Sequence, residues 1–262
     1  MVAVAKKDIV LKVEKLKKAY GPVTIVEGFD LKVAAGEAVA LIGRNGAGKS
    51  TVLRCLVGAD RPDEGNIEVL GVKMRETSPE IRRDVATVID DLDFFPDLSV
   101  VEHLDLLARA HGIADPDDLV DEILEEVQLV PQAGQLPSTL SSGQRRRLAL
   151  ATAFVRPRRL LVLDEPTAGM NQSETAEMLE QLLRLKAAGQ SILLVEHKLD
   201  LVMTLSDHVL VMDDGHVIAS GPPEQVRNDP AVIEAYLGRP EDDRRRAREE
   251  RARKDRGGED DD

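Results

Sequence analysis

Apolar and polar positions along the chain first follow a strand-like pattern. Ile9–Leu16, Thr24–Val33 and Glu37–Ile42 are rich in Val, Ile and Leu, and Gly21-Pro22 and Gly36 break the runs. After the glycines at 43, 46 and 48 the period changes: Leu53, Leu56 and Val57 fall at helical spacing, predicting a helix over Lys49–Val57. Gly65–Gly71 reads as a further short strand. Helical patterns cover Ser99–His111 and Pro116–Leu129, where Leu119, Ile123 and Val127 recur every four residues. Another helix is predicted from near Ser142 through Arg145 to Val155. A strand (Leu160–Leu163), a helix (Ser173–Leu185) and a strand (Ser191–Val195) follow. Val209–Met212 and His216–Ser220 form a predicted hairpin around Asp213-Asp214-Gly215.

Strands alternating with helices predict an α/β fold with a parallel sheet. Residues 91–154 carry no strand signal and read as a helical insertion, and no internal repeat is visible. Arg239–Asp262 is almost wholly charged, has no apolar face, and reads as a disordered tail.

Composition narrows the function classes. With 35 Lys and Arg against 48 Asp and Glu, the net charge of −13 argues against sequence-independent binding to nucleic acid. Aromatics at 2%, with no Trp, argue against a base-stacking platform for single strands. The single cysteine, Cys55, excludes an internal disulfide and suits a reducing compartment; it reads as a buried helix position. No signal-peptide pattern and no run of the roughly 18 apolar residues that span a bilayer is seen, which suggests a cytoplasmic chain.

The clearest chemistry is a phosphate loop. Gly43-Arg44-Asn45-Gly46-Ala47-Gly48-Lys49-Ser50 fits G-x-x-x-x-G-K-[ST], after a predicted strand and opening a predicted helix. Glycines let backbone N–H groups wrap an anion, and the helix N-terminus adds unpaired donors. Lys49 is expected to reach the β- and γ-phosphates, the Ser50 hydroxyl to ligate Mg²⁺, and Thr51 to hold the α-phosphate. Leu160-Leu161-Val162-Leu163 ends in Asp164 and Glu165, a metal-shell carboxylate followed by a general-base candidate. His197 follows the strand Ile192–Val195 and is placed to donate to a γ-phosphate or orient the water. Leu140-Ser141-Ser142-Gly143-Gln144 precedes a helix, a hydroxyl-plus-N-terminus arrangement suited to a second phosphate site. Arg145–Arg147 read as a solvated helix face. His103, His111, His208 and His216 lack metal-ligand spacing.

Taken in order, these motifs make residues 9–238 resemble the ATP-binding cassette (ABC) ATPases. The resemblance implies a P-loop NTPase core with a mainly parallel sheet, an N-terminal antiparallel β subdomain and a helical insertion subdomain. Residues 1–90 and 155–238 would form the core, and 91–154 the helical signature subdomain. It implies ATP and Mg²⁺ as cofactors and a head-to-tail dimer in which Ser141, Ser142, Gly143 and Gln144 cap the partner subunit's ATP. It also implies Tyr20 as the aromatic stacked on adenine. Separate transmembrane permease subunits would hold the chain at the inner face of the cell membrane. Transport coupling is the leading reading, and a soluble non-transport ABC ATPase, an assembly or regulatory factor, is the alternative. The segments Ala168–Asn171, Val195–His197, Gly221–Val226 and Ala235–Gly238 are similar to the ATPases of branched-chain amino acid importers, and the last of them is also similar to lipopolysaccharide-exporter ATPases. Three positions depart from the family pattern, and one of them, Asn171 in the loop after Asp164, stands where Asp is common but fits the importer branch. Asp90 stands where a Mg²⁺-touching Gln is usual, and Ser142 stands where Gly is usual. Phe94-Phe95 suits either burial or contact with a partner's helix.

Overall fold

The computed structural model describes residues 8–74, 84–89, 94–156 and 158–237. Asp90 and the tail at 239–262 lie outside these described residues. The first two strands, β1 (Ile9–Tyr20) and β2 (Val23–Ala34), pair antiparallel across the Gly21 turn. With β4 (Glu64–Val69) and β5 (Val72–Lys73) they form a sheet of order β2-β1-β4-β5. A second sheet has the order β10-β9-β3-β8-β7-β6, from β3 (Ala38–Gly43), β6 (Val85–Val88), β7 (Leu160–Asp164), β8 (Ser191–Val195), β9 (His208–Asp213) and β10 (His216–Gly221). Every pairing in it is parallel except β9–β10, the expected hairpin, where His216 lies opposite Asp213.

β3, β7 and β8 are buried along their whole length, which is why they read as unbroken apolar runs. Successive side chains enter two different cores. Val39, Leu41, Val162 and Leu193 face Phe29 of β2 and helix α1 (Lys49–Leu56), with Leu53 and Cys55. Ala40, Ile42, Leu161 and Leu194 face the helices α2 (Val100–Ala110), α3 (Asp117–Glu126), α4 (Ser142–Phe154) and α5 (Gln172–Ala187), through Leu104, Leu124, Leu148 and Leu182. Each fully buried Leu is worth roughly 1.5–3 kcal/mol, so the two cores clamp the central sheet from both sides.

β5 and β6 and the helices α6 (Leu199–Leu205), α7 (Pro223–Arg227) and α8 (Pro230–Leu237) add to the elements read from the sequence. They span two to eight residues, too short for a period to register. Because β3, β7 and β8 run the same way in register, Leu41, Val195 and Asp164 sit side by side at one sheet edge. The carboxyl edge of such a sheet is where α/β proteins bind ligands.

Candidate active site

The loop after β3 is shaped by close backbone approach. A Cβ on Gly43 would lie 2.3 Å from the Met212 carbonyl oxygen of β9, so only glycine fits there. Gly48, at φ 99°, turns the chain into α1, whose N-terminus has no side-chain cap and no acidic residue in its first turn. Its leading N–H groups are therefore left without side-chain acceptors at that end. The turn between β9 and β10 braces the loop, with Gly215 N–H donating to the Ala47 carbonyl at 3.2 Å. Arg44, Asn45, Gly46 and Ser50 are exposed, whereas Ala47 and Lys49 are buried and Thr51 is half-buried. The Lys49 ammonium folds back on the loop, donating to the carbonyls of Gly43 (2.9 Å) and Arg44 (3.0 Å). Burial lowers its pKa, and the nearby Glu165 and Asp164 carboxylates oppose that shift. Lys49, Asp164 and Glu165 are thus gathered around one point.

Asp164 ends β7 and is buried. Glu165 follows in left-handed backbone (φ 46°), an uncommon conformation for a side-chain-bearing residue, and its N–H donates to the Val195 carbonyl at 2.9 Å. From the end of β8, His197 Nε2 lies 2.7 Å from Glu165 Oε1. With the carboxylate ionised, Nε2 carries the proton and donates it.

The residues flanking His197 are structural partners that sequence reading leaves without a role. Glu196 is buried and saturated: Oε1 accepts from the N–H (3.2 Å) and hydroxyl of Thr167, and Oε2 from the N–H groups of His197 (2.6 Å) and Lys198 (3.3 Å). Lys198 Nζ donates to the carbonyls of Thr167 (3.2 Å) and Met170 (3.4 Å) and to Thr175 Oγ1 (2.6 Å). Together they fasten the loop after β7 to the loop after β8. The available signal was the charged pair Glu196 and Lys198 flanking His197 just after the apolar run Ile192–Val195.

Ser141, Ser142, Gly143 and Gln144 form the start of α4. Ser141 and Gln144 make a reciprocal capping box: Gln144 N–H donates to Ser141 Oγ (3.2 Å) and Ser141 N–H to Gln144 Oε1 (2.9 Å). Ser142, in place of the usual Gly, opens the helix in right-handed backbone, and its hydroxyl donates to the Gly169 carbonyl at 3.2 Å. The expected solvated face of Arg145–Arg147 is corrected. Arg147 is buried, bonded to Gln128 Oε1 (2.8 Å) and Glu177, and Arg146 donates to the carbonyls of Asp164 (2.6 Å) and Glu165 (2.8 Å). Consecutive helical residues point about 100° apart, so a run of three cannot share one face. Arg145 alone of the three is exposed.

Tyr20, at the end of β1, is 45% exposed. Phe94 is half-buried and Phe95 exposed, and both rings lie 5.4 Å from that of His103 beside a groove of about 270 Å³. Cys55 is buried, as expected, and its thiol is pushed up to about 11 by burial. Among the described residues no group of three His, Cys, Asp or Glu side chains is assembled to cage a metal, and no helix is long and apolar enough to cross a membrane.

A glycine-rich loop feeding an uncapped helix, with a lysine, two carboxylates and a histidine at one edge of a parallel sheet, defines a nucleotide-binding protein of the P-loop class. Comparison with known proteins gives the family. Residues 26–168 match the family model for ABC transporters, and residues 216–242 that for branched-chain amino acid ATP-binding cassette transporters. The chain is 34% identical over 249 residues to the high-affinity branched-chain amino acid transport ATP-binding protein BraF of Pseudomonas aeruginosa, covering 87% of this chain and 98% of that protein. It is 35% identical over 234 residues to Nod factor export ATP-binding protein I of Cupriavidus metallidurans, covering 87% of this chain and 77% of that protein. Among solved structures, cbiO1 from Clostridium perfringens, part of the ABC transporter complex cbiONQ, superposes with a TM-score of 0.75 at 28% identity, covering 87% of this chain and 94% of that one. The chain belongs to the ABC transporter family: it is an ATP-binding subunit, and its enzymatic activity is ATP hydrolysis.

Proposed function

We propose that this chain hydrolyses ATP to drive uptake of branched-chain amino acids through separate transmembrane permease subunits. The match at 216–242 and the likeness to BraF favour that cargo over the export named for the Nod factor relatives. The observation that carries the catalytic assignment is the 2.7 Å contact between Glu165 and His197 at the sheet edge that also holds Lys49. In this reading the loop Gly43-Arg44-Asn45-Gly46-Ala47-Gly48-Lys49-Ser50-Thr51 takes the phosphates of ATP. Lys49 exchanges its two carbonyl acceptors for β- and γ-phosphate oxygens, and Thr51 holds the α-phosphate. Glu165 accepts the proton of the attacking water. His197 Nε2–H holds that carboxylate in place before ATP binds and turns to the γ-phosphate once it is bound.

The exposed Ser50 hydroxyl and the buried Asp164 carboxylate fit Mg²⁺, which keeps several waters and binds phosphate oxygens and so needs few protein ligands. Asp90 would join that shell. Mg²⁺ supplies neutralisation of phosphate charge when bound. Ser141, Ser142, Gly143 and Gln144 would close on the ATP of a second cassette, and the Phe94–Phe95 groove would receive the permease. Residues 1–90 and 155–238 would act as the catalytic core and 91–154 as the helical arm carrying the signature.

The test is Glu165→Gln. Turnover falls by roughly 100-fold or more, in line with loss of a general base, while ATP binding is retained. Unchanged turnover would remove Glu165 from the base role. Uptake of labelled leucine by the assembled transporter addresses the cargo.

A further inference from the structure

Tyr20 lies on an exposed strand end, yet it is held from several directions. Its hydroxyl donates to Asp60 Oδ2. That carboxylate is itself gripped by Arg54, through Nε at 3.0 Å and Nη2 at 3.4 Å. Beside the ring, Lys18 Nζ sits 5.1 Å from the centroid while donating to the Arg61 carbonyl at 2.9 Å. The turn that carries Asp60 and Arg61 is zipped onto β1: Asp63 N–H donates to the Lys17 carbonyl (2.9 Å), and Ala19 N–H donates to Asp63 Oδ2 (2.6 Å). The other end of the turn is fixed on α1, with Asp60 N–H donating to the Arg54 carbonyl at 3.1 Å. Arg54 and the phosphate-loop residues Lys49, Ser50 and Thr51 belong to the same helix.

We propose that Asp60 is a positioning residue for the adenine base. Clasped by Arg54, it fixes the Tyr20 ring at a set distance from the phosphate loop, so that base and phosphates are bound in register. This rests on the reading of Tyr20 as the adenine platform. A free tyrosine at an exposed strand end would lose rotamer freedom when a base stacked on it; the clasp removes that cost before ATP arrives. Asp60 is bonded by the Tyr20 hydroxyl and by Arg54, and the Tyr20 hydroxyl also meets the Thr51 side chain, so Asp60 acts on ATP through Tyr20, chiefly at the base.

The experiment measures binding of two probes to the full chain with Mg²⁺: ATP, and tripolyphosphate, which has no base. Asp60→Ala weakens ATP roughly fivefold, a fraction of a full stacking contact, and leaves tripolyphosphate within about twofold. Tyr20→Phe removes the same hydrogen bond, together with the one to the Thr51 side chain, without touching the turn, and weakens ATP in the same direction by more than it weakens tripolyphosphate. It keeps the test open if Asp60→Ala fails to fold. Unchanged ATP affinity in both variants, or equal weakening of both probes, overturns the role of Asp60. Tyr20→Ala separates the two levels: if it leaves ATP affinity intact, the platform reading falls. If it weakens ATP while Asp60→Ala and Tyr20→Phe do not, only the positioning role falls.

Discussion

Helices α1 and α4, both proposed above to meet phosphate, begin in opposite ways. α4 starts with Ser141 and Gln144 satisfying each other's backbone N–H groups, and α2 and α5 start likewise, with Ser99 and Glu102 and with Asn171 and Glu174. α1 starts with Gly48, no side-chain cap and no acid. A cap is worth about 1 kcal/mol, so α1, like α3, α6 and α7, forgoes stabilisation that α2, α4 and α5 have. The difference separates two kinds of anion site. The end of α1 carries no side-chain cap, and its own lysine folds back on the loop before it. The end of α4 is already closed by its own side chains, and in the proposed reading a phosphate from a second subunit would have to share a serine that has an internal partner.

The comparison can be broken by placing charge at the open end. Ser50→Asp puts an acid in the first turn of α1, where it complements the helix dipole and adds roughly 0.3–1 kcal/mol of stability. The same carboxylate repels phosphate, so ATP binding falls by two orders of magnitude or more while the melting temperature holds or rises. Calorimetry and thermal unfolding read the two effects on one sample. A parallel loss of stability would mean that the end of α1 is not electrostatically free. At the closed end, Ser141→Ala removes a working cap. It costs about 1 kcal/mol in denaturant unfolding and leaves ATP affinity of the isolated chain unchanged.

The smallest effect asks what holds α1 in place without a cap. Cys55 lies on its buried face, and its thiol is raised to about 11, so only a trace is thiolate at pH 8. Burial disfavours the charged form, so any labelling of the folded chain increases with pH up to that value. An aromatic disulfide reagent is expected to leave Cys55 unmodified at pH 8 in the nucleotide-free chain and to label it fully on unfolding. Rapid labelling without ATP would show that the uncapped helix opens.

Much of the site was legible because it is local. The phosphate loop, the Asp164-Glu165 pair and the start of α4 each occupy a few consecutive residues, and the turn chemistry that shapes them is written in the same few letters. His197 was legible as a polar residue after an apolar strand, but its contact with Glu165 depends on β7 and β8 being neighbours, which periodicity does not state. Glu196 and Lys198 escaped for the same reason: their partners lie about thirty residues away on the adjacent loop. Arg146 and Arg147 were misplaced because a run of charge resembles a wet surface, whereas the helix sends each residue to a different side. The short strands β5 and β6 and the helices α6 to α8 give too few residues for any pattern to show.

The buried carboxylate of Glu196 sets a condition on how the site moves. It accepts from Thr167 on one loop and from His197 and Lys198 on the next, in a place where water is excluded. Charge-assisted bonds of this kind are worth roughly 1.5–3 kcal/mol each, and an unpaired partner left inside costs more. Neither loop can therefore swing alone. Opening is expected as a single event shared by Thr167, His197 and Lys198, which hydrogen exchange would show as amide protons of those three residues exchanging in step.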